Sequence, residues 1–154
     1  MSYSVPIPGG ERKMVSAIKK MLVSVFEQGD LSDFTQLFQD TTQFEGFLVD
    51  HATGVEELTE AITAVLSLID GAHVAFGTTI EQDAWICVIV QVMAQSATTG
   101  APVMLGGNII AHSDGSKINA VYCVFDWIRF FEGLDLMPPS SALACVTGQK
   151  LVVS

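Results

Sequence analysis

Glu45, in the stretch "TTQFEGF", is an acid set between Phe44 and Phe47 on a segment that reads as a strand. A carboxylate buried among aromatic and β-branched side chains has its pKa raised toward neutrality, where a general acid/base moves protons most effectively. The same acid on the solvent side of a strand is only a surface charge. Asp50 and His51, adjacent in "LVDHATG", would make an acid/His pair at the mouth of a pocket, but consecutive residues on an extended segment point apart, which favours a plain loop. His73 opens a strand with no evident partner. Cys87, Cys123 and Cys145 are odd in number, widely spaced and set among apolar residues, without CxxC or Cys/His ligand spacing. They read as reduced core thiols of a cytoplasmic protein. Cys123 would be a nucleophile only beside a cation, and its neighbours Tyr122 and Val124 supply none. Three scattered histidines support no metal site, and no cofactor is expected.

The elements that must position these groups follow from periodicity. Met14, Val15, Ile18, Met21, Leu22, Val25 and Phe26 form a helical stripe opposite Lys19, Lys20 and Glu27, predicting a helix over 12–28 that Gly29 stops. Asp30 is placed to cap a second helix over 31–38, with Leu31, Phe34, Leu37 and Phe38 inward. A first strand is expected over 41–47. Thr53 and Glu56 stand at capping-box spacing before a third helix over 54–69, ended by Asp70-Gly71. Long β-rich segments then follow, near 73–80, 84–95, 102–112 and 117–126, separated by "EQD", "SATTGA" and "SDGS". A short helix, "DWIRFFEGL", spans 126–134. Three helices before an antiparallel meander make an α+β pattern. Residues 1–10 read as an N-terminal extension, 11–136 as one domain, and 137–154 as a Pro/Ser-broken, partly apolar tail that wraps the domain or reaches a neighbouring subunit.

Composition limits the partners. The 154 residues carry a net charge of -10, and from residue 21 onward only Lys117, Arg129 and Lys150 balance sixteen acids. Such a body repels phosphate backbones and anionic membranes, so neither nucleic acid nor a membrane is an expected partner. The N-terminal stretch "MSYSVPIPGGERK" lacks a signal core, and the longest apolar run, near 84–94, is too short to span a bilayer. Hydrophobic residues make up 49% and charged ones 16%, well below the usual quarter. One ordinary core does not absorb that much apolar surface; a cavity or a subunit interface would. Strand 84–95 is apolar on both alternating faces, which points to a homodimer formed through the outer face of the sheet.

The order of elements, together with "GDLSDFTQLFQD", "TGVEELTEAI", "DGSKI" and "VFDWIRFFEGL", resembles the nuclear transport factor 2-like superfamily over about residues 11–136. Within it, the SnoaL-like polyketide cyclases and their ketosteroid isomerase relatives are the most similar. The resemblance implies a conical α+β barrel, with three N-terminal helices packed on a curved antiparallel sheet around a deep apolar pocket, usually in homodimers.

The reactive positions implied by this resemblance are mostly empty of chemistry. On the last long strand, Val121 falls at the cyclase histidine and Cys123 at the catalytic acid. On the preceding strand, the isomerase oxyanion acid falls on Gly107, and Gly107 and Ile109 are expected to face the pocket. The isomerase tyrosine falls at Met21 or Leu22. Glu45 stands nine residues before Gly54, as the isomerase base does; counted forward from "GD", the match lands on Gly46 instead. A slip of one residue reverses the face of a strand, so both placements of Glu45 stand. Asn119 shares the strand face of Val121 and Cys123 by alternation and can orient a ligand carbonyl, and Phe44 is expected beside the ligand. His112 alternates with Gly106, Asn108 and Ile110, away from the pocket.

Two functions follow. One is an isomerase, cyclase or lyase acting on a hydrophobic polyketide- or terpenoid-like compound, with Glu45 as its single acid/base. The other is a noncatalytic apolar-ligand-binding or dimeric interaction module. The retained strand acid tips the reading toward the enzyme.

Overall fold

Val15, Ile18, Leu22 and Val25 recur at helical spacing and bury one side of α1 (Lys13–Gln28). The computed structural model, which describes residues 13–48 and 53–152, closes this helix at Gly29, whose φ of +66° a side chain would resist. Asp30 Oδ1 then accepts the Ser32 N–H at 2.9 Å in the turn before α2 (Ser32–Leu37), whose N-cap is Leu31 and not the expected Asp30. Its bonds from Ser32 hold the Asp30 carboxyl below the usual carboxylate range.

Five strands form one sheet in the order β1-β5-β4-β3-β2: β1 (Phe38–Glu45), β2 (Ile69–Gln82), β3 (Trp85–Ser96), β4 (Pro102–Ser113) and β5 (Ile118–Phe125). β2 to β5 form the expected antiparallel meander. β1 departs from it by pairing parallel to β5, with Phe44 opposite Val121 and Glu45 opposite Tyr122. A parallel neighbour needs a long crossover, supplied here by everything between β1 and β5. β1 also starts earlier than predicted, at Phe38, because α2 ends at Leu37.

α3 (Val55–Leu66) is shorter than its predicted span, and its cap differs. Gly54, not Thr53, is the N-cap. Thr53 is drawn into a bridge with Phe44, each N–H donating to the other's carbonyl at 2.9 Å, so the capping box does not form. Nor does Asp70-Gly71 end the helix. Gly71, at φ +60°, lies in a register shift near the start of β2 between Asp70 and His73, which lets the strand begin at Ile69. Glu27 of α1 fastens this irregular stretch: its Oε1 accepts the Val74 N–H at 2.8 Å and lies 3.1 Å from His73 Nδ1.

The helices α1 and α3 pack on one face of the sheet, and the strands alternate accordingly. Val88, Val90 and Val92 of β3 are at most 1% exposed, and burying each contributes about 1.5–3 kcal/mol. Trp85, Ile89 and Met93 on the same strand face outward. After β5, Asp126 Oδ1 accepts the Arg129 N–H and caps α4 (Trp127–Gly133). The tail returns as α5 (Ser141–Val146), anchored where Glu132 Oε1 accepts the Ser141 N–H at 2.7 Å. No described helix is long and apolar enough to cross a membrane.

Candidate functional site

Between the helices and the β1, β4 and β5 end of the sheet lies a cavity of about 50 Å³. α1 contributes Ile18, Met21, Leu22 and Val25, so both residues at the isomerase tyrosine position line it. Phe34 of α2 and Phe38 and Phe44 of β1 form an aromatic wall, with Phe38 and Phe44 edge to face at 4.8 Å between ring centres. β4 supplies Ile109 and Ala111; β5 supplies Val121, Cys123 and Phe125. Four of the residues expected there, Phe44, Ile109, Val121 and Cys123, are thus brought together.

Three are not. Glu45 is exposed, while its neighbours Phe44 and Thr42 are 2% and 0% exposed. Because Val121 points inward and Tyr122 outward, their parallel partners Phe44 and Glu45 do the same. The chain then turns at Gly46, with φ +84°, where a Cβ would collide with the Cys123 carbonyl oxygen. The expected pocket base is therefore a surface carboxylate.

Gly107 lies on the inward-facing side of β4 but lines nothing. Its register partner is Phe125, and the Phe125 ring and Val124 carbonyl occupy the space a Cβ would need. The position where an isomerase would hold an oxyanion-stabilising acid is filled by a phenyl ring.

Asn119 is displaced by a bulge. β5 pairs Ala120 with His112 and Ile118 with Ser113, leaving Asn119 as the extra residue. An added residue reverses the alternation beyond it, so Ile118 lines the cavity and Asn119 joins His112 on the outer face. Asn119 Oδ1 and His112 Nδ1 meet at 2.7 Å. β1 is irregular at the same level, between Phe38 and Gln43. There the buried Thr42 hydroxyl accepts the Gln39 N–H at 2.9 Å and donates to the Ile118 carbonyl at 2.7 Å.

The cavity is thus lined by hydrocarbon and two kinds of sulfur, the Met21 thioether and the Cys123 thiol. Burial pushes that thiol up to about 12, so it stays protonated and unreactive at neutral pH. No lining residue is an acid, a base or an oxyanion donor. The described residues contain no group of three His, Cys, Asp or Glu able to hold a metal ion. The arrangement can exclude water and hold an apolar group.

Sequence reasoning missed the aromatic corner at one end of the cavity. Phe47 and Phe125 line it, and Trp127 packs behind both, with ring centres 5.1 Å and 5.8 Å away. Alternation from Val121 and Cys123 would have found Phe125. Phe47 and Trp127 lie beyond strand ends, where no periodicity extends.

No family model and no curated protein matches this chain. Solved structures do. AclR of Streptomyces galilaeus, a proposed hydroxylase, is 12% identical, covering 90% of this chain and 92% of its own, with a TM-score of 0.73. IdmH of Streptomyces antibioticus, a proposed polyketide cyclase, is 11% identical over 80% of this chain and 99% of its own, at 0.69. A protein of Catenulispora acidiphila with a ketosteroid isomerase-like fold is 11% identical over 83% and 96%, at 0.67. This chain has that ketosteroid isomerase-like fold. The likeness fixes the architecture; the residues in the cavity have to speak for the chemistry.

Proposed function

We propose that this protein is a noncatalytic member of its fold that holds a small apolar molecule, or an apolar portion of a larger one, in the barrel cavity. The observation that carries this reading is the lining: every described residue on the cavity wall presents an aliphatic side chain, a phenyl ring, a thioether or a protonated thiol. Oriented polar groups commonly supply the largest catalytic contribution, and the cavity walls supply none. The volume also bears on the ligand. About 50 Å³ admits a group of a few heavy atoms, whereas drug-sized pockets run to roughly 300–1,000 Å³, so a larger ligand needs a wall residue to move.

Xenon, followed by ethylbenzene, titrated into isotope-labelled protein tests this. The methyl resonances of Ile109, Ala111 and Val121 should shift saturably, and Ala111→Leu, which fills the space, should abolish the shift. Unmoved methyls with both probes would overturn the reading.

A second copy of the chain is the proposed partner on the outer sheet face. Trp85, Ile89, Met93, Tyr122 and Val124 are all exposed there, and no outward position of β3, β4 or β5 carries Asp, Glu, Lys or Arg. In a chain of charge -10, that uncharged face is where two copies meet with least repulsion. Light scattering at micromolar concentration should report a dimer, and Val124→Glu should give a monomer. A monomeric parent protein would refute it.

A further inference from the structure

The cavity shares a wall residue with the protein surface. Met21, itself buried, lines the cavity from α1 and also lines an outer groove of about 190 Å³ between α1 and α2. Among the described residues it is the one common to both linings. The rest of the groove is formed by Ala17 and Lys20 of α1 and by Asp33, Gln36 and Leu37 of α2. Its shape follows from the sequence: Ala17 stands one turn before Met21 on the same helix face, where a longer side chain would fill the space.

Met21 is also the wall residue of α1 best able to move. An unbranched thioether with three rotatable bonds repacks at little cost, whereas Ile18 and Val25, its neighbours in the same wall, are β-branched and stiff. A change of Met21 rotamer would join groove and cavity without parting α1 from the sheet.

Resting on the ligand-holding reading above, in which a larger ligand needs a wall residue to move, we infer that Met21 is that residue and that cavity and groove form one two-part site. The ligand class follows from the two halves. Passage past a single side chain suits a thin, unbranched hydrocarbon chain, which the cavity receives. The groove holds the other end, where the Lys20 ammonium, the Asp33 carboxylate and the Gln36 amide offer donors and acceptors of no net charge. An uncharged head that both donates and accepts, a hydroxyl or a primary amide, matches them. A charged head gains from one of Lys20 and Asp33 and is repelled by the other.

The probes are 1-butanol, 1-pentanol and 1-hexanol, titrated into isotope-labelled protein. 1-Hexanol should shift the Ala17 methyl in the groove, the Met21 methyl and the cavity methyls of Ile109 and Val121 with one common midpoint. Each added methylene should tighten binding about fourfold, as for a chain leaving water. Ala17→Leu, which fills the groove, should weaken 1-hexanol binding about tenfold and leave the xenon shifts unchanged; the common midpoint in the parent protein stands as evidence even if that variant folds poorly. Hexanoate and hexylammonium should bind about tenfold more weakly than the alcohol, because a charge drawn even partly from water costs more than a hydroxyl does. If xenon moves the cavity methyls and 1-hexanol does not, or 1-hexanol moves them without Ala17 and Met21, the two spaces are not one site. This inference then falls with the ligand-holding reading intact, as it does if affinity is flat along the series. A charged analogue that binds as tightly as the alcohol overturns the assignment of the head. If xenon and ethylbenzene both leave the cavity methyls unmoved, the ligand-holding reading itself falls and takes this inference with it.

Discussion

Asn119 Oδ1 and His112 Nδ1 meet 2.7 Å apart on the outer face of the sheet, the side opposite the cavity, because Asn119 is the extra residue of a bulge between β4 and β5. Simple alternation from Val121 and Cys123 would place Asn119 in the cavity. The ring of Trp85, 4.7 Å from that of His112, covers the pair and adds it to the face proposed to meet a second copy.

Asn119→Ala should therefore leave ethylbenzene affinity within about twofold, while Val121→Ala, which enlarges the cavity, should change it. Glu45→Gln should behave as a surface change, within about 0.5 kcal/mol in stability and without effect on ligand binding. Paired titrations and thermal melts of the three variants check this; a large loss of binding in Asn119→Ala or Glu45→Gln would place those side chains in the cavity after all.

Cys123 makes an alkaline signature. Its thiol is raised from 9.0 to about 12 by burial, so the folded protein holds this proton more tightly than the unfolded chain does. The stabilisation is complete below pH 9 and is lost as pH rises from 9 toward 12, as the unfolded thiol ionises first. Denaturant unfolding across that range should show a decline that is smaller in Cys123→Val. At neutral pH iodoacetamide should modify exposed Cys145 well before Cys123. Fast modification of Cys123 in the native protein would contradict its burial.

Asp114 makes an acid signature. In the β4–β5 turn its Oδ1 accepts the Lys117 and Ser116 N–H groups at 2.9 Å each and the Ser116 hydroxyl at 3.0 Å, and its other oxygen accepts from Gln39. These bonds, led by the one from Lys117, lower its carboxyl from 3.8 to about 2. A depressed carboxylate stabilises the fold above its unfolded pKa, and that contribution disappears as pH falls from about 4 to about 2. Asp114→Asn should be less stable than the parent at pH 7, and the gap should close by pH 2. A pH-independent difference would mean that the loss is packing, not charge.

Thr42 tests the join between β1 and β5. Its hydroxyl is wholly buried and is satisfied as both acceptor and donor. Thr42→Val keeps the shape and leaves the Gln39 N–H and the Ile118 carbonyl without that partner, which should cost about 1–3 kcal/mol. Urea unfolding measures it; a change under about 0.5 kcal/mol would show that water replaces the hydroxyl.

What the sequence by itself determined is the set of elements and the face each buries. The stripe on α1, the alternation of β3, the "SDGS" turn and Asp126 before α4 act over a few residues, so their geometry is written locally. The family resemblance, with which strand alternation agrees, placed Ile109, Val121 and Cys123 toward the cavity, and a strand buried on one side keeps that parity as long as no residue is inserted. The tertiary structure decided what depends on distant partners. Thr53 capped nothing because Phe44, nine residues earlier, took its backbone. Glu45 took the outer face because β1 joins β5 in parallel, with the register set by Phe44 against Val121. Asn119 changed sides through a bulge with no glycine or proline to announce it. Gly107 was filled by Phe125 from the neighbouring strand, and Trp127 found its phenyl surroundings only when β1, β5 and α4 converged. A one-residue shift in pairing costs little in local propensity and reverses every side chain beyond it, so which acids and amides reach the cavity is settled only when the strands have met.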